Sequence, residues 1–337
     1  MKLKLFCIFL ISLWLTNCQK EETETKLSFY YWKTRFSVSK FEMEFLKSNQ
    51  VKKLYVRYFD IDLNDTGFAV PVGPISFEKD YEHFTIVPVV YIKNRVFTSN
   101  KTSIKSLSDK TIEFINQINR FHKLQCTELQ FDCDWTKESS QKYFQFLEMV
   151  KKETNLTISA TIRLHQIKYY KTTGVPPVDY GVLMYYNMGK ISADSSNSIY
   201  QRETADKYIR YLSSYPLRLN VALPIFGWGI HIRHQQVEGL INKMNFNAFI
   251  GDTNFILKNQ ARLIAKRNYI KFGYYFMKGD EIKMERISHN DIIEMSEDLN
   301  KNLRKKPGEI IIYDLDSINL NQFKNEGKNF KKILDYF

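Results

Sequence analysis

The chain has 337 residues, 44% of them hydrophobic, and 49 lysines and arginines against 37 acids give a net charge of +12. Only four cysteines and 13 glycines exclude a disulfide scaffold and a collagen-like fibre, and the apolar content excludes a disordered chain. The one long apolar run, Leu5 to Leu15, falls short of the about 20 residues that a bilayer-spanning helix needs, which excludes a polytopic membrane protein.

Residues 1–17 read as a secretory signal, with a basic start at Met1-Lys2-Leu3-Lys4, an apolar centre and a close at Leu15-Thr16-Asn17-Cys18. That close resembles a bacterial lipoprotein box, which implies lipidation of Cys18, although Asn17 stands where Gly, Ala or Ser is usual. Residues 18–27 carry no apolar anchor and read as a flexible tether. Cys18-Gln19-Lys20-Glu21-Glu22 is similar to the surface-export signal of outer-membrane lipoproteins, so the expected location is lipid-anchored at the outer membrane and facing outward, with the periplasmic face as the alternative. The lysines are scattered, which argues for a solvated surface and no nucleic-acid partner. Cys126 and Cys133, too few and too close for a disulfide framework, are expected to be free and buried.

From residue 28 onward, apolar and β-branched runs bounded by turn residues predict eight strands: Ser28–Trp32, Lys53–Asp60, Phe84–Ile92, Thr127–Asp134, Leu156–His165, Asp179–Asn187, Leu217–Phe226 and Glu309–Asp314. Helices are predicted over Lys40–Ser48, Ser106–Lys123, Lys137–Glu153, Glu203–Ser213 and Asp291–Arg304. This alternation predicts an α/β fold, a TIM-type (β/α)8 barrel occupying residues 28–337 as one domain. An inserted hairpin, Lys271–Lys278 with Glu281–Arg286, is expected between strands 7 and 8. The rival is an open doubly wound sheet, but no Gly-rich phosphate loop follows any strand, and no cofactor is implied.

Strands 4 and 5 alternate cleanly. Leu129, Phe131 and Cys133 oppose Gln130, Asp132 and Asp134; Ile158, Ala160 and Ile162 oppose Ser159, Thr161, Arg163 and, further on, His165. The apolar set must meet the helices, so the polar set points into the barrel, with its last members at the C-terminal mouth where barrel enzymes keep their chemistry. Buried charges are costly unless paired or used. Two readings therefore stand: Asp132, Asp134, Arg163 and His165 form a site, or Asp132 and Arg163 are an internal ion pair. Arg57, Asp60 and Asp314 sit late in strands 2 and 8 as further candidates. Trp32 and Trp228 are the candidate sugar-stacking platforms among many strand-end aromatics. The histidines show no metal-binding spacing, so no metal is expected.

The segment Thr127-Glu-Leu-Gln-Phe-Asp-Cys-Asp-Trp-Thr136 resembles the fourth-strand Asp-x-Asp-x-Glu motif of the glycoside hydrolase family 18 superfamily. Leu183-Met184-Tyr185-Tyr186-Asn187 and Leu223-Pro224-Ile225-Phe226-Gly227-Trp228 are similar to its sixth- and seventh-strand signatures. Uncharacterised bacterial glycoside-hydrolase-like barrels resemble it more closely, with Gln-x-Asp-x-Asp ahead of a helix like that at Tyr143–Leu147. The resemblance implies Asp134 in the place of the aspartate beside the acid, Tyr185 or Tyr186 in that of the tyrosine, and Asn187 nearby. The acid itself is replaced by Thr136, which cannot protonate a leaving oxygen. Asp132 and Asp134, about 6.6 Å apart along one strand, approach from the same side, so a second carboxylate would have to come from Asp60 or Asp314. Three functions follow: an envelope-anchored glycoside hydrolase, a barrel that binds glycan without cleaving it, or an accessory subunit docking an outer-membrane protein.

Overall fold

Eight strands form where the residue pattern places them. The computed structural model describes residues 24–325 and 330–337, with β1 at Lys26–Tyr31, β2 at Lys53–Leu63, β3 at Thr85–Ile92, β4 at Glu128–Asp132, β5 at Thr157–Arg163, β6 at Tyr180–Met184, β7 at Leu219–Pro224 and β8 at Glu309–Tyr313. Neighbours are parallel, and β1 pairs with both β2 and β8, so the sheet closes into a (β/α)8 barrel. The expected signal at residues 1–17 and the expected lipidation site Cys18 lie outside the described residues. The expected tether ends early, because Lys26 and Leu27 are already paired with Glu309 and Ile310 in β8.

The surrounding helices are α1 (Lys40–Ser48), α2 (Ile104–His122), α3 (Ser140–Thr154), α4 (Leu164–Lys168), α5 (Arg202–Ile209), α6 (His289–Asn302) and α7 (Ser317–Asn325). Ser39 and Ser288 start α1 and α6 as capping boxes: each hydroxyl accepts from the backbone N–H three residues on, and Glu42 or Asp291 reaches back. One expected helix position is empty. Between β2 and β3, Gly67, Pro71, Gly73 and Pro74 break any helical run, and Asn64 instead turns the chain by accepting from the N–H groups of Thr66 and Phe68 at 3.1 and 2.9 Å. The chain returns as a short strand, Ala69–Val72, antiparallel to the end of β2.

The insertion lies between β7 and β8 as expected but is larger than one hairpin. Glu281–Arg286 pairs with Gly227–Arg233 rather than with Lys271–Lys278, at the centre of a five-stranded antiparallel sheet. Phe249, Phe255 and Phe276 give it a separate core. Burying each is worth about 1.5–3 kcal/mol toward holding the inserted strands together. Gly229 allows a close approach here, since a Cβ would force Met244 Sδ to move.

Inside the barrel, the first layer is polar. Lys53, Glu128, Tyr180 and Glu309 open the four even strands, and the Lys53 ammonium lies 2.8 Å from Glu128 and 3.1 Å from Glu309. Tyr55 donates to Glu309 at 2.6 Å, Ser28 also donates to Glu309, and Tyr180 donates to Glu128. Gln130, one layer higher, accepts from Tyr30 at 2.6 Å and donates to Ser159 at 3.3 Å. The inward polar set is therefore a connected network in place of the branched aliphatics that usually fill such barrels.

Candidate functional site

Register sets the mouth. Asp60 on β2 aligns with Tyr91 on β3, and Tyr91 with Asp132 on β4. Asp132 is buried, accepts from the Thr161 hydroxyl at 2.6 Å, and has the Arg163 guanidinium at 3.9 Å. Burial pushes its carboxyl above the usual aspartate range, against the pull of Arg163. Asp134 lies two residues past the end of β4, half-exposed, and accepts from Arg163 Nε at 2.5 Å. Arg163 thus serves both acids at once: the predicted ion pair exists, and it stands beside an opening. A cavity of about 330 Å³ is lined by Asp134, Arg163, His165, Tyr186 and Asn187. Asp132 does not line it and sits deeper.

Tyr186 and Tyr313 stack with centroids 5.3 Å apart, and Trp32, at 5.8 Å from Tyr313, continues the run on one side. On the other, Phe226 meets Tyr186 at 5.8 Å and Trp228 at 5.2 Å. Five rings therefore form a continuous run from the end of β1 to the insert, with Tyr186 and Phe226 buried and Trp32, Tyr313 and Trp228 partly exposed. Tyr313 and Phe226 are strand-end aromatics outside the candidate binding residues; Phe226 lies in the seventh-strand signature, and Tyr313 carries no motif.

Several candidates are placed differently from expectation. Tyr185 faces away from the mouth: its ring meets Tyr200 at 6.3 Å, and its charged neighbours are Asp298, Arg202 and Asp206 on α5 and α6. Side chains alternate along an extended segment, so placing Tyr186 inward sends Tyr185 out. His165 is not on β5 but in the first turn of α4, with much of its surface exposed; partial desolvation and the Arg163 charge lower its pKa against the pull of Asp134. Trp228 belongs to the insert rather than to β7, and its indole N–H donates to Glu285 at 2.9 Å. Glu285 escaped the sequence reading because it carries no motif. Asn187 ends the β6 segment at φ 55°, exposed at the cavity rim. Cys133 is buried and Cys126 half-buried, both free.

The remaining carboxylates are also tied. Asp60 accepts from Arg57 Nε at 2.8 Å, and the same guanidinium donates to Gly73 O at 2.9 Å. Asp314, buried, accepts from Asn319 at 2.7 Å with Lys243 Nζ at 4.0 Å, and burial raises its pKa. Thr136 opens the turn before α3 and is exposed. The next acid, Glu138, is hydrogen-bonded by Thr136 and held below its usual range, the opposite of what a proton donor requires. Among the described residues no group of three or more His, Cys, Asp and Glu side chains could hold a metal ion, and no helix is long and apolar enough to cross a membrane.

No family profile matches the sequence, and no curated protein matches it either. Solved structures do. The spore cortex-lytic enzyme SleL of Bacillus megaterium is similar at 13% identity and a TM-score of 0.55, over 94% of this chain and 75% of that one. The class V chitinase of Nicotiana tobaccum matches at 11% identity and 0.51, over 93% and 97%. A family 18 chitinase of Cycas revoluta, solved with (GlcNAc)4, matches at 10% identity and 0.51, over 93% and 99%. The barrel therefore shares its fold with these chitinase and cortex-lytic enzyme structures.

Proposed function

We propose that the protein is a glycan-binding barrel held at the cell envelope, and that it binds its sugar without cleaving it. The observation that carries this reading is the aromatic run that reaches the open cavity at Tyr186, beside Asp134, Arg163 and Asn187. Aromatic faces take the apolar side of a sugar ring, while a carboxylate, an amide and a guanidinium hold its hydroxyl and acyl groups. Hydrolysis is disfavoured by the same geometry, since Asp60, Asp132, Asp134 and Asp314 are each engaged by a cation, a hydroxyl or an amide, and the acid position is Thr136. The structural neighbours suggest β-linked N-acetylglucosamine oligomers as the first ligands to try.

Titration calorimetry with the N-acetylglucosamine tetramer is expected to show saturable binding, and product analysis no cleavage. Trp228→Ala should weaken binding about tenfold or more. Turnover by the wild type that Asp134→Asn abolishes would instead establish the hydrolase. Anchoring is tested separately: a palmitate label is expected on the wild-type protein in membranes and absent from Cys18→Ser. Binding of neither glycan nor label, with an outer-membrane protein co-purifying, would favour the docking subunit.

A further inference from the structure

The insert carries a surface that glycan binding leaves unused. Of the twelve large apolar side chains exposed among the described residues, seven fall between Ile250 and Met277. The most exposed are Ile270 at 66% and Phe272 at 64%. Both belong to a hairpin, Tyr269–Lys271 with Tyr274–Phe276, whose Tyr269, Tyr274 and Phe276 pack on the insert's core while Ile270 and Phe272 face solvent. Its two-residue turn places Phe272 at φ 51° and Gly273 at φ 79°. Such a turn favours Asn or Gly at its first position, and a bulky side chain there is held at a conformational cost. One part of the ring leans on Phe249, with centroids 5.6 Å apart; the rest faces solvent.

Charge accompanies the apolar tip. From Ile250 to Gly279 there are six cations, Lys258, Arg262, Lys266, Arg267, Lys271 and Lys278, and one acid, Asp252. Lys271 pairs with Asp252 at 2.5 Å, and Lys258 and Arg262 reach Glu281. Lys266 and Lys278 form no ion pair among the described residues.

We propose that this hairpin docks on an anionic lipid surface, with Ile270, Phe272 and Tyr275 entering the headgroup layer and Lys266, Arg267 and Lys278 meeting its phosphates. Exposed apolar and aromatic side chains ringed by cations suit that boundary, where apolar burial and attraction to anionic lipid add. The excess of cations selects this occupant over an uncharged apolar partner.

The test uses the full chain carrying Cys18→Ser, so that no acyl chain contributes, against the same chain with Ile270→Ser and Phe272→Ser. A second variant carries Lys266→Glu and Lys278→Glu. Co-sedimentation with vesicles containing phosphatidylglycerol should fall about tenfold or more in both variants, and vesicles of phosphatidylcholine alone should bind weakly. Unchanged binding in both folded variants, or equal binding to the two vesicle types, would overturn the proposal. So would a dimer that dissociates in the serine variant while vesicle binding stays constant, because the occupant would then be a second copy.

Discussion

Arg163→Met is expected to destabilise the barrel by about 3–5 kcal/mol, the usual cost of removing one partner from a buried ion pair. Asp132 is buried, and the one cation paired with it among the described residues is the one removed; half-exposed Asp134 adds little, because solvent screens it. The loss should depend on pH. Burial raises the Asp132 pKa, so the folded state holds that proton more tightly than the unfolded one. The associated stability is present below the unfolded carboxylate pKa and disappears as pH rises through the folded value. Without Arg163 the folded value rises further, so the variant should lose more at pH 7 than at pH 4. Adding Asp132→Asn should recover much of the deficit, since no buried charge is then left unpaired and Asp134 is half-exposed. Denaturant unfolding of the single and double variants at both pH values checks this. Equal stability of Arg163→Met and wild type would mean that the two acids are not held by Arg163.

The second large effect is expected at the opposite end of the barrel. Lys53→Met leaves Glu128 and Glu309 facing each other with only hydroxyl donors between them, and should also cost about 3–5 kcal/mol. A companion Glu309→Gln should restore part of it. The sign of the pH effect is opposite to that for a paired acid. Burial opposes the Lys53 charge, but Glu309 and Glu128 outweigh it and raise the pKa above the usual lysine value. The stabilisation is therefore complete below the unfolded lysine pKa and lost as pH rises through the folded one. Wild type should soften in alkali more than the double variant does. A thermal unfolding series across that range would show it, and coincident curves would contradict the pairing.

Much of this arrangement was legible in residue order, for reasons that differ by element. Alternation on β4 and β5 carries a period of two, which fixes what faces inward once helices cover the outside; Asp132, Asp134 and Arg163 followed from that alone. Glu128 lies on the same face as Gln130 and Asp132, yet its partners Lys53 and Tyr180 come from strands distant in the chain, so the network needed the closed barrel to appear. Tyr185 and Tyr186 illustrate the opposite limit. An adjacent pair at a strand end leaves open which one points in, and only the stacking on Tyr313 decides it. The insert was underestimated because its strands are short and not cleanly alternating: Phe255–Asn259 exposes four consecutive residues. Periodicity does not reveal an edge strand of that kind.

The claim on which the functional account rests is that glycan enters the cavity beside Asp134 and lies along the aromatic run. Hydrogen-exchange mapping of the protein with and without saturating N-acetylglucosamine tetramer tests it most directly. Slower exchange is predicted in the backbone around Asp134 to Thr136, Arg163 to Gln166, Met184 to Met188 and Phe226 to Trp228. Protection confined to the outer face at Thr102 to Gln117, or no change at any ligand concentration, would contradict it.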